Sequence, residues 1–163
     1  MPIRDYTPAD LPALSAINAQ STPGVSDETE ASLGKLIGLG TCLVAADEDD
    51  SPLGFINLVA PGTEAYPSDN LRWFERWQAE KGASLHYVDR IAIAARGRGQ
   101  RLGQQLYEAA FRQAADHDYL GCEINTDPDN PGSHRFHRRL GFELAGEARY
   151  ATDYAVAYYV RRV

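Results

Sequence analysis

The segment from Tyr87 to Tyr107, YVDRIAIAARGRGQRLGQQLY, constrains this chain more than any other. An apolar, β-branched run stops at a turn rich in glycine and arginine, and the turn opens directly into an amphipathic helix. That construction aims orphan backbone N–H groups and the positive end of a helix dipole at one point. Arg96, Arg98 and Arg101 can add charge-assisted contacts there, and Gly99 and Gly103 allow tight turning and close approach to the backbone. Such a point holds a phosphorylated ligand. Taken alone, the segment also reads as an Arg-rich solvated turn.

Two familiar phosphate loops do not fit. The Walker lysine followed by Ser or Thr is absent. A dinucleotide fingerprint needs three glycines, and with Gly97 and Gly99 in the first two places the third falls on Leu102. Glu123 lies at about the distance where that fold keeps its acidic residue, so spacing alone does not exclude it.

Around this segment the chain reads as one domain, residues 1–163. Ile3 to Tyr6 is a short strand, and Thr7-Pro8-Ala9-Asp10 starts a helix carrying Leu11, Leu14 and Ile17. A second helix begins at Ser26 or Asp27 and stops among Gly38 and Gly40. Thr41–Ala46 and Leu53–Ala60 form a hairpin with a solvated acidic tip. Residues 61–82 are the least regular, with Trp73, Phe74 and Trp77 at helical spacing. These three either pack a short helix or wall a pocket. Strands follow at Leu85–Ala94 and Leu120–Thr126. Asn130 caps a helix that ends at Gly141, and Phe142–Ala145 and Tyr154–Val160 close the chain as strands. The element order predicts an α/β (α+β) domain whose mixed, mostly antiparallel central sheet is flanked by helices on both faces.

A net charge of −7 argues against sequence-independent binding to nucleic acid or to an anionic membrane. Cys42 and Cys122 each sit in an apolar run, as small hydrophobes of a reducing compartment. With no signal peptide and no apolar run of about 18 residues, a cytoplasmic location is expected. The histidines His86, His117 and His134 have no metal-ligand spacing with the cysteines or with His137, so no metal is expected.

Arg98-x-x-Arg101-x-Gly103, the strand Cys122-Glu123-Ile124-Asn125, and the run from Asn130 through Phe136-His137-Arg138-Arg139-Leu140-Gly141-Phe142 together resemble the GNAT-type N-acetyltransferase superfamily. The family's turn is Gln/Arg-x-x-Gly-x-Gly/Ala, so Arg98 and Gly103 match while Arg101 replaces the middle glycine. The resemblance implies acetyl-CoA as cosubstrate. Backbone contacts to pantetheine would come from Ile91, Ala92 and Ile93. Pyrophosphate contacts would come from Arg98, Gly99, Arg101, Leu102, Gly103 and Gln104, with Asn130 near the pantetheine. Family members often carry a tyrosine four residues before the Gly-Phe, able to protonate the departing thiolate; here that position is His137. A histidine titrating near neutrality could donate that proton, or could merely hydrogen-bond CoA or a neighbour.

Two carboxylates compete for the base that deprotonates the amine. Glu123 leads the strand toward Asn130. Period-2 counting places Asp89 on one face with Leu85, Tyr87, Ile91 and Ile93, an odd place for an acid unless it is paired or functional, and sends Arg90 to the opposite face. The reading is an acetyl-CoA-dependent N-acetyltransferase working by direct attack of a small-molecule or peptide amine. A non-catalytic CoA-binding sensor or regulatory module is the competing reading, and a nucleotide or phosphosugar site a third. The sequence does not fix the oligomeric state; a homodimer stays open.

Overall fold

The computed structural model describes residues 3–163. Seven strands form one sheet in the order β1-β2-β3-β4-β5-β7-β6. They are β1 (Ile3–Asp5), β2 (Thr41–Ala46), β3 (Pro52–Val59), β4 (Leu85–Ile93), β5 (Tyr119–Asp127), β6 (Glu143–Ala151) and β7 (Tyr154–Arg162). Every neighbouring pair is antiparallel except β4 with β5. A parallel pair needs a crossover, and α4 (Leu102–Gln113) supplies it.

Leu102, Leu106, Tyr107 and Ala110 stripe one side of α4 and bury against Leu43, Ile56, Leu58, Val88, Leu120 and Cys122. Phe136 of α5 (Pro131–Arg139) joins the same cluster. The other face of the sheet carries α1 (Leu11–Gln20) and α2 (Glu30–Gly38), packed on Phe55 and Ala92. There too lies α3 (Asp69–Lys81), packed on Tyr87 and Tyr158. Helices on both faces agree with the expected class.

Four local expectations change. Thr29 caps α2 by accepting from the Ser32 amide, so the helix starts at Glu30 rather than near Ser26. The irregular stretch contains a full helix, α3, capped by the Ser68 side chain and stopped by Gly82 in the left-handed region. The last hairpin is longer than expected because β6 is an exposed edge strand: its partner is the β7 backbone, and no buried face imposes an apolar alternation. The hairpin tip is also more than a solvated turn. Asp47 accepts from the Asp49 and Ser51 amides and pairs with Arg96, and Asp50 pairs with Arg4.

Candidate active site

β4 and β5 pair only from Leu85 to Tyr87 against Tyr119 to Gly121. Beyond that register the parallel strands splay and leave two unpaired strand edges facing each other. A cleft of about 1050 Å³ passes through the sheet at the splay. Pro23 carbonyl accepts from Asn125 Nδ2 at 3.0 Å, so the α1–α2 connection crosses part of the opening.

One end of the cleft is the Gly/Arg turn, on the α4–α5 face. Among the described residues, no acceptor is bonded to the amides of Gly99 through Gln104; the first helical bond is Gln105 N–H to Arg101 carbonyl, 3.1 Å. Those orphan donors fit a pyrophosphate. Arg101 adopts φ +58°, the left-handed conformation that glycine takes without cost, which explains the glycine usual in the motif. Gly103 serves a different purpose from the one expected. A Cβ there would stand 2.9 Å from the Phe136 ring, so its missing side chain lets α4 approach α5.

Arg98, Gly99, Arg101, Leu102 and Gly103 line this end; Gln104 does not, its side chain donating to Glu108 at 3.2 Å. Arg96 is corrected: it is spent on Asp47 at 3.0 Å and on the Pro52 carbonyl. Ile91, Ala92 and Ile93 line the cleft along the free edge of β4, and Asn130 lines it while capping α5 through the Ser133 amide. A charge-assisted hydrogen bond contributes about 1.5–3 kcal/mol, less where water screens it. Arg98→Ala with Arg101→Ala should therefore raise the acetyl-CoA dissociation constant at least about tenfold in calorimetry. An unchanged constant would remove the turn from the phosphate site.

His137 stands on the same face, where it is buried. Its Nδ1 lies 2.8 Å from the Ser133 carbonyl, which can only accept, so Nδ1 carries the hydrogen. Nε2 is then the acceptor for the Tyr107 hydroxyl at 2.7 Å. Burial pushes the imidazole pKa down to about 4. The expected near-neutral acid is thus corrected: at pH 7 His137 is an uncharged ring with both nitrogens engaged.

Glu123 points to the opposite face. Leu120, Cys122 and Ile124 pack toward α4, so alternation turns Gly121 and Glu123 toward α3. Glu123 lines the cleft and accepts from the Tyr87 hydroxyl at 2.6 Å. Burial, with repulsion from Asp89 behind it, pushes the carboxyl pKa up to about 8 against the opposing pull of that hydrogen bond.

Asp89 also reaches the cleft, but it is enclosed. The β3–β4 register slips so that Asn57 pairs with Arg90 and Leu58 with Val88, leaving Asp89 as a bulge. The extra residue flips the parity of the strand. Ile91 and Ile93 go to the α4 side, whereas Asp89 and Arg90 both face α1. The expected separation of this pair is therefore wrong, because strict period-2 counting does not survive a bulge. Arg90 Nε donates to Asp89 Oδ2 at 2.7 Å, Asn57 donates to the same oxygen at 3.2 Å, and the Tyr66 hydroxyl donates to Oδ1. Arg90 further binds Asn18 Oδ1 and the Ser26 carbonyl.

Phe74 and Trp77 are buried against the sheet and Trp73 stacks on Tyr158 at 4.0 Å; none of them lines the cleft. Cys42 and Cys122 are free and buried, with burial pushing the Cys42 thiol up to about 12. Sequence reading missed Tyr66, Tyr87 and Tyr107. Each meets its polar partner from 23 to 36 positions away, which no local spacing reveals.

A turn of orphan amides on one face and a carboxyl of raised pKa on the other open onto the same cleft. The sequence matches the acetyltransferase (GNAT) family over residues 11–142, and the chain belongs to that family. It is an acetyl-CoA-dependent N-acetyltransferase. A search of curated proteins finds no match. Solved structures similar in fold include a ribosomal-protein-alanine N-acetyltransferase from Brucella melitensis (20% identity, all of both chains, TM-score 0.73). Another is a phosphinothricin acetyltransferase from Sinorhizobium meliloti in complex with acetyl-CoA (21% identity, 99% of this chain and 88% of that one, TM-score 0.71). A third is NAA60 of Arabidopsis thaliana, also with acetyl-CoA (14% identity, 99% and 98%, TM-score 0.72).

Proposed function

We propose that acetyl transfer is a direct attack through the sheet: acetyl-CoA binds from the α4–α5 face and the amine approaches from the α1–α3 face. The observation that carries this reading is the passage at the β4–β5 splay, with orphan amides at one end and Glu123 at the other. Unpaired backbone groups on the β4 edge, including those of Ile91 to Ile93, hold the pantetheine arm and polarise the thioester carbonyl. As a carboxylate, Glu123 takes a proton from the substrate ammonium, the neutral amine so formed attacks the thioester carbonyl, and Tyr87 holds the carboxylate in place. Holding both substrates in one passage converts a bimolecular reaction into an oriented one. Cys122, buried beside the passage, has its thiol pKa raised by burial and makes a poor nucleophile.

On the donor side the departing thiolate meets the Tyr107–His137 couple. Neutral His137 accepts the one Tyr107 hydroxyl hydrogen at rest, and the departing thiolate competes for that hydrogen. Because burial raises the phenol pKa, the hydroxyl serves as a hydrogen-bond donor to the sulfur, with the proton itself supplied from solvent. Tyr107→Phe should lower kcat about tenfold or more while leaving the acetyl-CoA dissociation constant unchanged. An unaltered kcat would mean that the thiolate leaves unassisted.

The acceptor is a small-molecule or peptide amine. The buried free thiols suit a reducing, cytoplasmic compartment. Thiol release from acetyl-CoA over a panel of amines tests the assignment, with amine-dependent turnover expected. Tight acetyl-CoA binding with no turnover on any amine would support the sensor reading instead.

A further inference from the structure

The two ends of the passage differ in charge. Four carboxylates line it, Glu28, Asp69, Asp89 and Glu123, and all belong to the amine side; Glu123 holds its proton below about pH 8, so the other three carry the negative charge there. Three guanidiniums line it, and Arg98 and Arg101 belong to the phosphate turn at the far end. The third, Arg90, is on the amine side but buried, with its donors committed to Asp89, Asn18 and Ser26. Its Nη2 is also 3.7 Å from Glu28, so that one guanidinium stands against two carboxylates and a net negative charge remains. Arg72 stands beside the same mouth. It is likewise committed, to Glu75 and to the carbonyls of Thr63 and Tyr66. Among the described residues that line the amine side, no cation is left to receive an anionic group on a substrate.

Aromatic rings supply an independent sign. Tyr150 and Tyr154, from the two strands of the last hairpin, wall the amine side together with Tyr66. Their rings lie 6.0 Å apart. Phenol faces beside carboxylates attract organic cations, and an unpaired substrate carboxylate beside them would be repelled and left without a partner.

We propose that the acceptor is an organic cation: an amine that carries a second positively charged group and no anionic one. Glu28 and Asp69 are the residues that select for the second charge. This inference rests on the assignment of the α1–α3 face to the amine.

Putrescine, butylamine and γ-aminobutyrate form a matched test set, similar in length and differing in the charge at the far end. The expected order of kcat/KM is putrescine above butylamine above γ-aminobutyrate, with at least about a hundredfold between the first and the last, since two close charges near a protein surface interact by several kcal/mol. Glu28→Gln with Asp69→Asn should shrink the putrescine-to-butylamine ratio at least about fivefold, and added salt should shrink it in the wild type. Comparable rates for putrescine and γ-aminobutyrate would overturn the proposal. So would turnover of a neutral peptide N-terminus together with none of putrescine, while the acetyltransfer reading survived. Failure of every amine to release CoA would instead remove the assignment on which the inference rests.

Discussion

Glu123→Gln is expected to lower kcat/KM by about a hundredfold to ten-thousandfold, the range that a positioned general base contributes. The pH dependence identifies the cause. Below about pH 8 the Glu123 carboxyl holds its own proton and cannot accept another, so wild-type activity climbs through about pH 8 toward a plateau. A substrate amine resembling lysine ionises near about 10.4, far enough away for the two limbs to be resolved. The variant should lose the lower limb and keep the upper one. A variant with wild-type rates, or with the lower limb intact, would take the base role from Glu123.

The same group has a stability signature of opposite direction. Its folded pKa lies above the ordinary value of 4.5, so between about pH 4.5 and 8 the native state holds a proton that the unfolded chain has lost. Stability supplied by that proton is complete at low pH and is lost as pH rises through about 8. Glutamine copies the protonated form. Glu123→Gln should therefore melt above the wild type at pH 9 and alongside it at pH 5.

Arg90→Met is expected to destabilise the fold by about 3–5 kcal/mol, the cost of leaving one member of a buried ion pair uncompensated. Methionine preserves most of the volume, so the loss reports charge rather than packing. Asp89 would then keep only Asn57 and Tyr66 as donors. Adding Asp89→Asn to Arg90→Met should restore part of the stability, because no bare charge remains. Urea unfolding at pH 7 measures both variants. A loss below about 1 kcal/mol for the single change would make the pair equivalent to an exposed one. Since Arg90 also anchors Ser26, the single variant should show faster amide exchange in the α1–α2 connection as well.

Legibility in the sequence followed the range of the interactions. The strand, turn and helix from Leu85 onward were readable because glycine placement, helix stripe and turn chemistry are local. The Asn130 cap and the Gly141 stop were readable for the same reason, since each acts within a few residues. α3 carried local signals as well, Ser68 at its start, Gly82 past its end and Leu71, Phe74 and Trp77 buried along one side, but its many charges obscured the stripe. The Asp89 bulge had no signal at all. Neither glycine nor proline marks it, and only the pairing with β3 reveals the extra residue. That single slip brings Arg90 to the face of Asp89. It thereby turns a candidate base into a buried ion pair, while Glu123 lines the cleft on the α3 side with the Tyr87 hydroxyl as its side-chain partner. Arg96 was misread for a related reason: its partner Asp47 lies at the tip of the β2–β3 hairpin, 49 positions away. His137 was found by motif, but its protonation depends on Tyr107 of another helix.

A crystal structure with acetyl-CoA bound tests the through-sheet passage most directly. The expected result has pyrophosphate oxygens within hydrogen-bonding distance of the Gly99 to Gln104 amides and the thioester between the splayed edges of β4 and β5. Glu123 should then stand on the amine side of the carbonyl carbon and Tyr107 on the sulfur side. A thioester lying outside the splay, or one with Glu123 and Tyr107 on the same side, would contradict it.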